Sequence, residues 1–365
     1  MKILHISRDE KFIDKAIETF KSFDEINNTF IILSKGLKYI SNKDDVVLYS
    51  FPKLIKSCLL GEFYKYDVII FHGLTTEHKI ILRLLHKRHG QKIVWIGFGF
   101  DYYNYSQQKV ITDNYVNPLN SKGRLRLFCV KFIKKIINLD GAHYKIDYFS
   151  PVIKSEYSIF KKLMKLEAKY IDWDYGSTFS TLNSLKNKKI FGDGILLGNS
   201  ATETNNHISA LNLIKDIVGD KKIIMPLSYG SNDYKEWLKN EIKKFDLNFN
   251  VIDSFMPIDD YFNMLLSCQY VVMNHIRQQA LGNIIVMLSL GAKVFLKKDN
   301  PLYFELKNLG FIIYLIDDIQ YDSFMIPLST EDMTNNRKLA YSLYNDEIIK
   351  EKTLKFIKEI KHDLI

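Results

Sequence analysis

The feature that most narrows the folds open to this 365-residue chain is a twice-repeated alternation of short apolar runs with amphipathic stretches. In the first hundred residues the runs are "KILHIS", "TFIILS", "DVVLYSF", "DVIIFHG" and "KIVWIGFG". Helical patterns fall between several of them, over Glu10–Phe23 and in "TTEHKIILRLLHKRHG". Such runs lack the polar alternation of a sheet with one wet face, so they predict parallel strands covered by helices on both sides. The pattern loosens from Asp101 to Lys189 and restarts at "DGILLGNS". It continues through "KKIIMPLSYG", "FNVIDSF", "QYVVMNHI", "AKVFLKK" and "FIIYLID", with helices predicted over Asn206–Val218, Asp233–Phe245, Ile258–Cys268 and Asn283–Gly291. The expectation is an α/β protein of two Rossmann-like parallel-sheet domains, 1–175 and 188–345, joined by a linker near Tyr170–Asn187. A charged amphipathic helix, 346–365, ends the chain.

Composition narrows the function classes. No apolar run reaches the roughly 18 residues of a membrane span, and "MKILHISRDE" meets charge too early for a signal peptide. The three cysteines, Cys58, Cys129 and Cys268, fit no metal-ligand spacing and suit a reducing compartment. No metal is expected. The net charge of +9 is unevenly placed: residues 1–175 carry 29 Lys+Arg against 19 Asp+Glu, and the rest 22 against 23. The first half is therefore built to meet something anionic, such as lipid headgroups, a lipid diphosphate or nucleic acid.

In sheets of this kind, ligands bind beyond the carboxyl ends of the strands. After the strand "GILL" come Gly198, Asn199 and Ser200, then Asn205 and a helix from about Asn206 with His207 in its first turn. A helix start offers backbone N–H groups to an anion, and glycine allows close approach; an ordinary capped turn would look the same. "MPLSYG" puts Tyr229 and Gly230 at the same edge, where an aromatic could border a base or simply pack. "HIRQQALGN" is more specific. Arg277, Gln278 and Gln279, followed by Gly282 and Asn283 at the next helix start, stand between two apolar stretches. A guanidinium forks onto diphosphate oxygens, and helix-start amides add donors.

In the first half, "FHG" ends a strand with His72, and "WIGFGFDYY" ends another with Asp101; both are acid/base candidates, or a hydrogen-bonded strand-end ring and a turn former. "GFGFD" lacks the third glycine and the helix of a dinucleotide fingerprint. "KGRLRLFCVKFIKKII", Lys122–Ile137, interleaves six cations with apolar residues, in the manner of a helix lying on an anionic membrane or of a surface helix with one core face. "DWD", Asp172–Asp174, has a metal-pair spacing but falls in the linker, where a metal role is not expected.

Taken together, "ILLGNS" with Asn205 and His207, "MPLSYG", "RQQALGN", "LSLGAKVFLKKDNPLYFEL", "FHG" and the Gly-x-Asp-x-Tyr of "FGFDYY" resemble the bacterial TDP-4-acetamido-4,6-dideoxygalactose (TDP-Fuc4NAc) transferases, the 4-alpha-L-fucosyltransferase type. The resemblance spans most of the chain, with its specific matches mainly in the second half, and Phe98-Gly99 stands where the family has Trp-Gly. It implies a GT-B glycosyltransferase, with two Rossmann-like domains facing across a cleft. It also implies a nucleotide-sugar donor, TDP-linked, on the second domain, and a polyprenyl-diphosphate-linked glycan on the first. The expected place is peripheral, at the cytoplasmic face of the bacterial inner membrane, through Lys122–Ile137. Donor contacts fall to Gly198, Asn199, Ser200, Asn205, His207, Tyr229, Gly230, Arg277, Gln278, Gln279, Gly282 and Asn283. Asp101, His72 and Arg277 are the catalytic candidates. Two rivals are weighed: a sugar-nucleotide epimerase of the same fold, and a basic nucleic-acid-binding protein, which would leave the Arg-Gln-Gln of the neutral half without a purpose and for which no nucleic-acid motif is present.

Overall fold

The computed structural model describes the chain except residues 11, 107, 116–138, 177, 321–323, 325 and 365, and the side chains of 140 and 178–180. Cys129 and the basic stretch Lys122–Ile137 lie outside the described residues. Two compact units emerge: residues 1–107, 119–177 and 346–365 form the first, and 108–118 with 178–345 the second. This differs from the sequence-derived boundaries in two places. The last 20 residues belong to the first unit, and a short segment from the first half belongs to the second.

Unit 1 holds seven parallel strands: β1 (Lys2–Ser7), β2 (Asn27–Leu33), β3 (Val46–Tyr49), β4 (Val68–His72), β5 (Lys92–Ile96), β6 (Tyr148–Ser150) and β7 (Lys169–Tyr170), in the order β3-β2-β1-β4-β5-β6-β7. The helices α1 (Ile13–Lys21), α2 (Phe51–Leu59), α3 (Thr76–Leu84) and α4 (Lys154–Met164) connect or flank them. Strands β6 and β7 sit in the stretch where the sequence pattern had loosened; at three and two residues they are too short to show a period. β4 is buried along its whole length, as its apolar run Val68–Phe71 requires, with His72 buried at its end.

One face of this sheet is closed by α1 and the C-terminal helix, Asp346–His362. Phe20, Phe30, Trp173, Phe356, Ile357 and Ile360 share a single core. The Trp173 indole donates to Thr353 Oγ1 at 2.9 Å, and Phe20 meets Phe356 edge-on at 5.6 Å. Asp172 and Asp174 flank Trp173 and both pair with Lys352, at 3.1 and 2.7 Å. "DWD" is thus a tether for the last helix, and among the described residues no acidic, histidine or cysteine cluster could hold a metal.

Unit 2 holds six parallel strands: β8 (Gly194–Leu197), β9 (Ile223–Pro226), β10 (Phe249–Ile252), β11 (Cys268–Met273), β12 (Lys293–Leu296) and β13 (Tyr314–Leu315), in the order β10-β9-β8-β11-β12-β13. Its helices are α5 (Thr178–Ser184), α6 (His207–Ile214), α7 (Asn232–Glu241), α8 (Ile258–Leu266), α9 (Leu281–Leu290), α10 (Pro301–Asn308) and α11 (Thr330–Leu343). Helix α9, "LGNIIVMLSL", is apolar nearly all round because α5, α11 and the sheet cover it. In both units the strand order reverses once, between β1 and β4 and between β8 and β11. Those crevices are where such sheets take ligands.

The C-terminal helix should behave as a core element of unit 1. Phe356→Ala is expected to cost about 3–5 kcal/mol, read as a lowered urea midpoint in Trp fluorescence. An unchanged midpoint would remove the helix from that core.

Candidate functional site

At the unit 2 crevice, two loops meet. The first leaves β8 through Gly198 (φ +68°), passes Asn199–Thr204, and enters α6 at Asn206 (φ +52°). The second leaves β11 at Asn274 and enters α9 through Ala280 (φ +63°). Asn205 is their hinge pin. Its Oδ1 accepts from the Asn199 amide and from His275 Nε2, both at 2.9 Å, while its Nδ2 donates to Thr202 Oγ1 at 2.8 Å and Ser200 Oγ at 3.2 Å. Gln279 joins the loops a second time, donating to Asn199 Oδ1 at 2.9 Å and accepting from Thr204 Oγ1 at 2.7 Å. Gly198, Asn199, Ser200, Asn205 and Gln279 are therefore brought together, as the sequence reading required.

The neighbouring candidates take different places. Gln278 is buried, and half-buried Arg277 donates to the Gln278 carbonyl at 3.1 Å. Gly282 and Asn283 lie in the first turn of α9, with Asn283 Oδ1 accepting from Tyr261 at 2.9 Å. Tyr229 is 53% exposed. Gly230 (φ +123°) is needed where it stands: a Cβ there would overlap the Ala201 carbonyl, which accepts from the Ser231 amide at 2.7 Å. His207 is wholly buried. Its Nδ1 meets Tyr234 Oη at 3.0 Å, and its Nε2 has no partner beside Gly198.

One expectation is corrected. The start of α6 is not open to an anionic ligand, because Asp113 caps it, accepting from Ile208 and Ser209 at 3.0 and 2.9 Å. Asn206 fixes the same segment, accepting from the Thr112 amide at 2.7 Å and donating to the Val110 carbonyl at 3.1 Å. α7, α10 and α11 are capped by Ser231, Asn300 and Ser329, whereas α9 begins without a side-chain cap. Asp113 stands some 95 positions from the helix it caps, so no local signal announces it. His275 and Asn274 are likewise read in sequence only as the polar end of an apolar strand.

At the unit 1 crevice, His72 and Asp101 are buried in separate networks. Asn28 donates through Nδ2 to the Phe20 carbonyl, which turns its Oδ1 toward His5 Nε2 at 3.1 Å. His5 Nε2 therefore carries a proton and its Nδ1 accepts from His72 Nε2 at 3.0 Å; His72 Nδ1 in turn accepts from the Tyr175 hydroxyl at 2.7 Å. His5 and His72 are both neutral. Burial lowers His5 to about 3 and holds His72 well below the usual histidine range, with the neighbouring histidines adding to it. Asp101 accepts from the Leu74 amide and the Trp95 indole on one oxygen, at 2.9 and 2.7 Å, and from the Phe98 amide on the other at 2.9 Å. Burial raises its pKa against those hydrogen bonds. The histidine resists a proton, and the carboxylate holds three donors.

A family model described as 4-alpha-L-fucosyltransferase, glycosyl transferase group 56, matches residues 160–351, more than half of the chain. The chain belongs to that family. It is a glycosyltransferase, and the epimerase and nucleic-acid readings fall away. Solved structures agree on the GT-B fold. Anabaena HepE in complex with UDP and glucose is 12% identical with a TM-score of 0.64, the match covering 98% of this chain and 100% of that one. Sucrose-phosphate synthase from Thermosynechococcus elongatus is 10% identical with a TM-score of 0.67, over 99% of both chains. A glycosyltransferase from Rickettsia africae is 13% identical with a TM-score of 0.62, over 98% of both. No helix among the described residues of the fucosyltransferase-family chain is long and apolar enough to cross a membrane.

The neutral histidines give the protein an acid limb. Burial lowers His207 to about 3, whereas an unfolded histidine titrates near 6.5. The folded state therefore binds fewer protons, and stability present above pH 6.5 is lost as pH falls toward 3. By pH 5 His207 withholds about 2 kcal/mol. His207→Gln should flatten the fall in urea midpoint between pH 7 and 5 by about that amount; an identical fall in both proteins would contradict the neutral assignment.

Proposed function

We propose that this enzyme transfers a deoxyamino sugar of the N-acetylfucosamine type from a TDP-linked donor to a polyprenyl-diphosphate-linked glycan, at the cytoplasmic face of a bacterial inner membrane. The observation that carries the donor half is the unit 2 crevice. There Asn205 and Gln279 hold two loops in one arrangement, and Arg277 stands just before a helix start that has no side-chain cap. The related fold of HepE was solved with UDP and glucose, which supports a nucleotide-sugar donor. The acceptor half rests on the family resemblance and on the positive excess of residues 1–175.

In this reading the donor diphosphate lies along Gly198–Ser200 and Arg277–Gln279, with its outer charge toward the first turn of α9. Breaking the sugar–phosphate bond places negative charge on the departing diphosphate. The Arg277 guanidinium and the α9 amides meet that charge most strongly in the transition state, because they are fixed before it develops. Asn199, Ser200, Thr202 and Gln279 supply hydrogen bonds that orient the donor. Tyr229 borders the base or ribose from the exposed end of its strand. A metal has no part in the scheme, since cationic and dipolar groups carry the leaving charge.

Arg277→Ala is expected to lower transfer at least 100-fold, about 3 kcal/mol of barrier, with the fold intact by circular dichroism. TDP should raise the Tm of the wild type more than UDP or GDP does, through preferential binding to the folded state, and the shift should vanish in Arg277→Ala. Full turnover in that variant, or an equal TDP shift, would remove the diphosphate from this corner.

A further inference from the structure

The unit 1 residues that stood out in sequence converge on a surface. Asp101 ties the loop after β4 to the loop after β5 by gathering the Leu74 and Phe98 amides. That brings the Phe98 ring down onto Gly73 (φ +72°), where a Cβ would stand 2.5 Å from the ring. Tyr175 stacks beside Phe98 at 5.4 Å with planes 19° apart, and Phe100 beside Phe98 at 6.0 Å and 16°. Phe12 meets Tyr175 and Phe98 at 5.8 and 6.2 Å. Phe12 and Phe100 are 38% and 47% exposed. Tyr175 cannot swing, because its hydroxyl is fastened to His72, and His72 through His5 to Asn28. At the same strand ends Arg8, after β1, pairs with Glu77, at the start of α3, at 3.7 Å.

We propose that Phe12, Phe98, Phe100 and Tyr175 form the seat for the sugar ring of the acceptor, and that Asp101 and His72 are positioning residues that hold it rigid. This deepens the reading above, in which unit 1 takes the acceptor. Aromatic faces carry negative charge and draw the polarised C–H face of a pyranose, while Arg8 and Glu77 offer a donor and an acceptor to its hydroxyls. The presence of Arg8 and Glu77 at the same strand ends as the rings favours a sugar over the lipid tail as the occupant. The seat lies at the strand-order reversal of its sheet, the place where such sheets bind ligands.

Octyl N-acetyl-β-glucosaminide, below its micelle concentration, is a probe with both parts. Selective irradiation of the protein's aromatic protons should transfer saturation to the sugar ring protons of the probe. Phe100→Ala should reduce that transfer at least fivefold. Saturation confined to the octyl chain, or unchanged in the variant, overturns the proposal. In transfer assays with a lipid-linked acceptor, Phe100→Ala and Tyr175→Phe should raise the acceptor KM about tenfold and fivefold. The donor KM and kcat should stay within twofold and the pH profile should be unmoved. A 100-fold loss of kcat in Tyr175→Phe at unchanged acceptor KM would place the Tyr175–His72 pair in the chemistry and overturn the positioning role. The TDP shift at Arg277 reports on unit 2 alone, so its failure would strike the donor reading and leave this result standing.

Discussion

A parallel sheet covered on both faces has no water inside it, so any polar side chain that enters must find its partner from another strand or loop. Both units meet this constraint mainly at one place, the strand-order reversal, although at the unit 2 crevice His207 Nε2, Asn274 Oδ1 and His275 Nδ1 stay unpartnered. In unit 1 the partners are Asn28, His5, His72 and Tyr175, joined end to end. In unit 2 they are Asn199, Asn205, His275 and Gln279, which bind one loop to the other. The loops at each crevice are therefore fixed from below by buried hydrogen bonds. Leaving one such group unpaired costs about 1–3 kcal/mol, enough to hold the loops in one arrangement without substrate. Catalysis by preorganised charge depends on that kind of rigidity.

The same constraint sorts the helix starts of unit 2. A helix N-terminus attracts an anion wherever its amides are unmet. Asp113 meets those of α6 from a distant segment, and serines or asparagines meet those of α7, α10 and α11. α9 begins directly after the Arg-Gln-Gln loop and has no such cap. α8, which follows Pro257, has no side-chain cap either, so what sets α9 apart is the Arg-Gln-Gln loop that leads into it. Asp113 and Asn206 also tie the segment around Val110–Asp113 to unit 2: Asn206 holds Val110 and Thr112, and Asp113 supplies the cap.

Much of this architecture was legible in the chain because apolar run length and helical period are local signals. The strands from "KILHIS" to "FIIYLID" fall where their uniformly apolar character put them. β6 and β7 were illegible because two or three residues carry no period, and their pairing is decided by β5. The cluster of Gly198–Ser200, Asn205 and Gln279 was legible because polar residues interrupt apolar sequence at strand ends. Asp113, His275 and Tyr175 were not, since each acts on a partner far along the chain and nothing beside it in sequence reports the meeting. The strand-end positions of Asp101 and His72 were legible, but a sequence does not show how many donors surround a carboxylate or how dry an imidazole is.

That last distinction bears on how the reaction is driven. A neutral His72 whose Nδ1 already accepts from Tyr175, and which resists a second proton because it is buried beside His5, has no lone pair for an incoming hydroxyl. Asp101 has donors on both oxygens. With these groups occupied, unit 1 in the proposed scheme would offer the acceptor shape and orientation, and the polar chemistry would move to the leaving group. A diphosphate is a weak base once its charge is met by a guanidinium and a helix start, so its departure can lead and proton loss from the incoming hydroxyl can follow it. In the proposed scheme the division of labour is then physical as well as topological: one unit would hold the acceptor sugar against flat rings, and the other would ease the breaking of the donor's sugar–phosphate bond.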